Sequence, residues 1–201
     1  MVDQVFAGTT NNPGAATARL SLVLGEHTRR LEGIALRVEK ETGWTYMGMD
    51  ATPAPLLGVS IGAAIEKFTG APFGSSGTMT AASVITDAVR SLPIKRAGYG
   101  GLMLPVLEDT VLAQRWSEGK YSIDSLLAYS AVCGTGLDTV PLPGDISPEQ
   151  IERIIGDMAS LAFKWHKPLS ARLLPAFGKK PGERTEFDDP ALENALIQSL
   201  P

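Results

Sequence analysis

The spacing of apolar residues predicts amphipathic helices over much of the chain. From Thr17 to Glu41 apolar residues recur every three or four positions, with His27 in the same register and charges on the opposite face. Gly43 is typical of a residue that ends such a helix. In "SPEQIERIIGDMASLAF", Ser147 caps a helix and Gln150 completes a capping box. Shorter stripes predict four more helices: Leu57 to Phe68, Thr78 to Val89, Leu107 to Trp116, and Ser122 to Val132.

Five short runs predict strands: "VDQVF", "WTYMGMD", "GYGGLMLP", "LDTVPL" and "LSARLLP". They alternate with single helices or helix pairs, which favours an α/β fold with a largely parallel sheet and flanking helices. We expect a single domain over residues 1–201. Its parts are an N-terminal strand and long helix (1–43), an α/β core (44–176), and a loop and tail (177–201).

The composition of the chain limits the kinds of partner that it is expected to bind. The 201 residues include 18 basic and 22 acidic ones, for a net charge of −4, which argues against a nucleic-acid partner. The single cysteine cannot form an internal disulfide, and the N-terminus lacks a signal-peptide pattern, so a cytoplasmic location is predicted. No apolar run approaches the roughly 20 residues of a membrane span. The expected partner is a small molecule, with no nucleic acid and no membrane.

Charged residues follow several predicted strands. Asp50 ends the second, Glu108 and Asp109 follow the third, Asp145 follows the fourth, and Lys179 lies after the last. In parallel α/β folds, ligands bind at the carboxyl ends of strands. If these ends converge, they form a pocket rich in carboxylates with a basic rim.

Glu108, Asp109 and Asp138 are the candidate catalytic residues. Paired carboxylates can bind a metal or divide acid and base roles, although the Glu108–Asp109 pair is also typical of the first turn of a helix. Asp138 stands out because aspartate is poor in strands. Arg172 is a candidate to hold an anionic group. The sequence leaves the cofactor and the metal unknown.

Other motifs give weaker indications. In "PFGSSGT", Ser76 and Thr78 are candidate binding residues just before a helix, where backbone amides can receive an anion; the alternative is an ordinary turn and cap. Cys133 fits a buried, inert cysteine better than a nucleophile. His166 is typical of a helix C-terminal cap, and His27 of a packed side chain.

Several long motifs carry a resemblance to a known family. They are "GAAIEKFTGAPFGSSGT", "GYGGLMLPVLED", "YSAVCGTGLDTVPLPGD" and "KPLSARLLPAFGKKPGERTEF". From about Trp44 to Phe187 the chain resembles domain of unknown function 711, also called the "PFL family", and matches the C-terminal half of its longer members. The resemblance implies kinship in fold with pyruvate formate-lyase-like glycyl-radical enzymes, and thus half of a ten-stranded barrel. Because "RAGYG", Arg96 to Gly100, departs from the radical motif, glycyl-radical chemistry is not expected.

The implied half-barrel has a consequence for assembly. Open sheet edges and an exposed apolar face promote association, so a homo-oligomer is expected; the alternative is that the chain is a truncated reading of a longer gene.

Two functions remain open. One is an enzyme or binding protein for a small polar metabolite, and the other is a non-catalytic assembly or regulatory subunit.

Overall fold

A parallel pair of strands with helices around it forms the centre of the computed structural model, which describes residues 1–55 and 58–200. The α/β class, with a parallel sheet and flanking helices, is confirmed. In the described ranges the sheet has two strands rather than the five predicted. The elements are α1 (Val2–Ala7), α2 (Pro13–Thr42), α3 (Ile61–Thr69), α4 (Thr78–Arg90), α5 (Thr110–Ser117), α6 (Ile123–Ser130), β1 (Gly136–Pro143), α7 (Pro148–Trp165) and β2 (Ser170–Ala176).

The β1–α7–β2 unit is the part that local sequence signals describe best. The amide of Gln150 donates to Ser147 Oγ at 3.2 Å, and the Ser147 amide donates to Gln150 Oε1 at 3.1 Å, which is the predicted capping box. His166 is the C-cap, in the left-handed conformation with φ 47°. The helix connects two parallel strands, as such a crossover requires.

The predicted N-terminal strand is wrong, because "VDQVF" forms helix α1. Val5 and Phe6 are buried, and the Phe6 ring lies 4.7 Å from that of Phe68 on α3. Tertiary packing therefore overrides the local alternation of the sequence. Helix α3 begins at Ile61, and Leu57, where the pattern starts this helix, lies outside the described residues.

Two other predicted strands are extended but form no ladder. Leu102 O accepts from the Gly134 amide at 2.7 Å, and Asp138 O accepts from the Val106 amide at 3.0 Å. Segment 101–107 therefore follows β1 in the same direction. "WTYMGMD" makes only an isolated parallel bridge, between Met49 and Arg96. Both predicted strands thus contact neighbouring backbone without joining the two-stranded sheet.

Helix α2 is confirmed, but only the first part of its apolar stripe is buried. Asn12 caps its start by accepting from the Ala15 amide at 3.1 Å, and Gly43 ends it with φ 74°. Leu20 near its beginning is fully buried, whereas Val38 near its end is exposed. His27 is also exposed, which corrects the prediction of a packed side chain.

The chain after β2 contains no helix or strand up to Leu200, as predicted, but it is anchored to α5. Trp116 Nε1 donates to Leu196 O at 2.9 Å, and Ala195 and Ile197 are buried. Among the described helices, none is both long and apolar enough to pass through a bilayer.

A close backbone approach gives a test of this packing. A Cβ on Gly134 would lie 2.7 Å from the Gly101 Cα, so we expect Gly134→Ala to destabilise the fold by about 1–3 kcal/mol through overpacking. Gly33→Ala is the control, because no atom lies within 4 Å of its added Cβ. In helix α2 this change should stabilise by about 0.5–1 kcal/mol. Urea unfolding of both variants measures the difference, and equal effects would contradict the close approach.

Candidate functional site

An irregularity in β1 shapes the candidate site. Leu137 pairs with Ala171 and Val140 with Leu173, so Asp138 and Thr139 together lie opposite the single residue Arg172. This is a β-bulge, a feature that re-aims side chains and is frequent beside active sites. Thr139 adopts φ 44°, which is unusual for a β-branched residue.

Hydrogen bonds from segment 101–107 hold the bulge in place. The Val106 amide donates to Asp138 O at 3.0 Å, and the Leu107 amide donates to Thr139 Oγ1 at 3.1 Å. Glu108 directly follows this segment in the chain. It is therefore brought to β1 although it lies 30 positions before Asp138 in the chain.

Glu108, Asp138 and Arg172 form one ionic group, which we call the carboxylate–arginine cluster. Arg172 Nε donates to Asp138 Oδ1, and Arg172 Nη1 donates to Glu108 Oε1 at 2.8 Å. The Asp138 side chain is fully buried, whereas 47% of the Arg172 side chain is exposed. Arg172 therefore links a buried carboxyl to the surface. Three of the residues predicted from the sequence meet here.

Only one of the two carboxylate oxygens of Asp138 has a hydrogen-bond partner among the described residues. Its Oδ2 is buried and has no hydrogen-bond partner among the described residues. Burial raises the pKa of Asp138, and the Glu108 charge adds to this, whereas hydrogen bonding and charge from Arg172 act in the opposite direction. The net pKa lies above the ordinary aspartate value. Buried carboxyls with a raised pKa and a specific charge partner are typical of functional sites.

Arg172 remains a cation in this setting. Burial alone would lower its pKa, but hydrogen bonds to Asp138 and Glu108 outweigh burial, so the pKa lies above the ordinary arginine value. With both carboxylates ionised the cluster would carry one net negative charge. Protonation of Asp138, the member whose pKa is raised, would make the cluster neutral.

Asp109, although adjacent to Glu108, does not join the cluster. It is 1% exposed and accepts from the amides of Val111 and Leu112, each at 3.0 Å, as the cap of α5. It also accepts from the Ile61 amide and Ser60 Oγ, each at 2.6 Å, at the start of α3. Both carboxylate oxygens are thus engaged in joining two helix N-termini. The alternative weighed for this residue, a charge at the first turn of a helix, describes it better than catalysis.

The predicted binding residues do not converge on one rim. Asp50 accepts from Thr52 and, at 3.0 Å, from the Tyr99 amide, so it lies at the beginning of segment 101–107, whereas Glu108 follows its end. Burial would raise the pKa of Asp50, but the hydrogen bonds from Thr52, Tyr99 and Gly100 outweigh it and lower the pKa. Asp50 is therefore a loop-fixing anion.

The remaining candidates lie elsewhere. Asp145 is exposed beyond β1, and Lys179 pairs with Glu186 at 2.7 Å. Thr78 is buried, and its Oγ1 accepts from the Gly74 amide at 3.1 Å, while Ser76 is exposed. These contacts fit an ordinary turn for "PFGSSGT", but the N-cap of α4 is Gly77 and no side chain caps the helix there.

Cys133 is buried, as predicted, and its Sγ accepts from the Gly136 amide at 3.5 Å. Within residues 1–55 and 58–200, no three His, Cys, Asp or Glu side chains are grouped so that they could hold a metal ion. In the cluster, the guanidinium of Arg172 already binds both carboxylates.

Sequence reasoning missed a second group of residues. Arg90, Arg96 and Lys167 line one cleft, although Lys167 lies 71 positions after Arg96 in the chain. "RAGYG" contains one of them, but the motif alone does not indicate a cationic site. Only the fold brings the three together.

Comparison with known proteins places the chain in a family. It matches the family described as Uncharacterised ACR (DUF711) over residues 5–189, and it belongs to that family. The match extends on the N-terminal side of the stretch from Trp44 to Phe187 on which the resemblance was based.

Relatives in this family are named UPF0210 proteins. The chain is 38% identical to that of Pyrobaculum arsenaticum over 162 residues, covering 78% of this chain and 36% of the relative. It is 31% identical to that of Desulforudis audaxviator over 180 residues, covering 87% of this chain and 40% of the relative. The matched part is thus well under half of either relative's length.

The raised pKa of Asp138 gives a pH-dependent prediction. A carboxyl that binds its proton more tightly in the folded state contributes stability at low pH, and this contribution is lost as pH rises through the raised pKa. We expect wild type to lose stability relative to Asp138→Asn between pH 4 and pH 8, by about 1.4 kcal/mol for each unit of pKa elevation. Urea unfolding at several pH values measures this difference. Asp145→Asn, at an exposed position, should show no such trend, and a flat difference for Asp138→Asn would contradict the prediction.

Proposed function

We propose that the carboxylate–arginine cluster is the binding site of a small polar metabolite, with Asp138 as the group that exchanges a proton with it. The observation that carries the proposal is the buried, unpartnered Oδ2 of Asp138. A buried polar atom without a partner costs about 1–3 kcal/mol, and such atoms are few in native proteins. A hydroxyl or amino group of a ligand would satisfy this oxygen.

The surroundings of Asp138 support this role. A bulge with a strained residue, here Thr139 at φ 44°, is a feature that persists where the structure enforces it, often at functional sites. Arg172 is the exposed member of the cluster, and a guanidinium has more donors than its two carboxylate bonds use. We infer that Arg172 turns outward to an acceptor group of the ligand and thereby opens access to Asp138.

The assigned chemistry is proton exchange. A buried carboxyl with a raised pKa keeps its proton to a higher pH than an ordinary aspartate and can donate it and accept it again, which is general acid–base behaviour. Glu108 keeps a negative partner beside Arg172 when Asp138 is protonated. The lone buried cysteine supports a cytoplasmic setting for this site.

A ligand screen with matched variants tests the metabolite site. We expect a screen of small hydroxylated and amino metabolites to find a compound that raises the melting temperature of wild type, because a native-state ligand at a hundred-fold excess over Kd stabilises by about 2.7 kcal/mol. The shift should disappear in Asp138→Asn and in Arg172→Met. Lys67→Met, which removes a positive charge from the exposed pair with Asp3, should keep it. A compound whose shift persists in Asp138→Asn, or a screen without any shift, would argue against the site.

A second candidate function is self-assembly, and one observation favours it. Ile155 and Phe163 on α7 are 50% and 80% exposed, and Phe177 after β2 is 97% exposed. In the described part of the chain β2 pairs with β1 alone, so its outer edge is open. Exposed apolar groups and an open sheet edge each favour association. We propose that a second copy of the chain covers these three side chains, which we call the assembly face.

Light scattering of the purified chain tests this assembly. At micromolar concentration we expect a dimer or larger oligomer, and Phe163→Glu with Phe177→Glu should shift it to monomer because two charges would be buried in the interface. Leu22→Glu, at a position 69% exposed on α2, is the control that should leave the oligomer intact. A monomeric wild type would exclude the assembly.

A further inference from the structure

A separate cleft combines cationic and aromatic side chains. It is lined by Arg90 at the end of α4, by residues 96–100, and by residues 165–168 after α7, and its volume is about 470 Å³. Arg90, Arg96 and Lys167 bring three positive charges to it, and no aspartate or glutamate is among its described lining residues. This is unusual in a chain whose net charge is −4.

The two arginines of the cleft donate hydrogen bonds to backbone carbonyls, whereas Arg115 and Arg172 bind carboxylates. Arg96 Nη1 donates to Arg90 O at 2.8 Å, and Arg90 Nε donates to Gly100 O at 3.4 Å. These are neutral carbonyls, and among the described residues neither arginine forms an ion pair. By contrast, Arg115 and Arg172 each bind two carboxylates. The positive charge of the cleft is therefore not neutralised from within.

Lys167 lies deeper in the same cleft. Its Nζ donates to Ser130 O at 3.2 Å and also to Cys133 O, so the ammonium is fixed between two carbonyls. Burial lowers the pKa of Lys167, and the charge of Arg90 adds to this. An anion in the cleft would counter both effects.

The loop that forms one wall is held in a fixed shape. Gly98 adopts φ 71°, and a Cβ at this position would lie 2.2 Å from Asp50 Oδ2, so only glycine fits there. Asp50 accepts from the neighbouring Tyr99 amide at 3.0 Å. This carboxylate is thus bound to the loop backbone, and the loop presents Tyr99 at the rim. Tyr99 and Trp165 are 43% and 55% exposed.

We propose that this cleft binds a phosphate-bearing small metabolite, with the phosphate at Arg90, Arg96 and Lys167 and a planar group against Trp165 or Tyr99. Guanidinium groups match the geometry of phosphate oxygens, and aromatic side chains stack on planar rings. Small-molecule sites commonly measure roughly 300–1,000 Å³, which includes the 470 Å³ found here. A nucleic-acid strand is a poorer fit, since the net charge of −4 opposes it.

Calorimetric titration at constant ionic strength tests the cleft, with inorganic phosphate and adenosine 5′-monophosphate as probes. We expect both to bind wild type, the nucleotide more tightly because its base can stack. Arg96→Met should weaken binding by about ten-fold or more, since one charge-assisted contact is worth roughly 1.5–3 kcal/mol. Arg96→Lys, which keeps the charge, should lose less. Lys167→Gln should weaken binding as well.

A charge-matched variant guards against a general electrostatic effect. Arg37→Met removes the same charge from the exposed face of α2 and should leave both affinities unchanged. Circular dichroism of each variant confirms that it is folded before titration. Equal affinities in wild type and Arg96→Met, or equal loss in Arg37→Met, would overturn the proposal.

Binding of the two probes to the cleft is expected to be independent of the carboxylate–arginine cluster. Asp138→Asn should bind both probes as wild type does, because Asp138 does not line the cleft. Failure of the cluster to bind a metabolite would therefore leave this proposal standing. Loss of probe binding in Asp138→Asn would contradict it.

Discussion

The bulge at Asp138 and Thr139 is the constraint on which the candidate site depends. Two residues of β1 share one opposing residue of β2, so the main chain must absorb an extra residue and Thr139 takes a left-handed conformation. The amides of Val106 and Leu107 donate to Asp138 O and Thr139 Oγ1, two buried polar atoms of this bulge. Three chain segments are thereby fixed together, and the guanidinium of Arg172 binds the carboxylates of both Asp138 and Glu108.

Two buried aspartates in this fold differ in how fully their carboxylate oxygens are hydrogen-bonded. Asp109 uses both oxygens to accept from backbone amides and a hydroxyl, and so fastens α3 to α5. Asp138 uses one oxygen and leaves the other without a partner in the described structure. Burial and charge are common to both residues. What differs is the spare hydrogen-bonding capacity, which a ligand can use.

Sequence patterns predicted the structural features that depend on residues adjacent in the chain. The capping residues of α7, Gly43 after α2 and the two strands of the sheet are local signals, and Asp138 stood out because a strand rarely contains aspartate. Long-range contacts decided the rest. Phe6 packs on Phe68 and makes α1 a helix, and the packing of Gly101 on Gly134 cannot be read from either motif alone. The cationic cleft, too, needs the fold to unite its residues.

The bulge also resets the alternation of β1, so that apolar residues at an odd spacing point to the same side of the sheet. Ala171 and Leu173 are two residues apart and share a face of the sheet, which means that their partners Leu137 and Val140 share one too, although three positions separate them. Deleting a single residue here would restore a regular ladder in which Leu137 and Val140, then two positions apart, still share a face, so the later residues of the strand would keep their orientation. What the extra residue alone provides is the local geometry of Asp138 and Thr139, with a buried carboxyl on one and a left-handed backbone on the other.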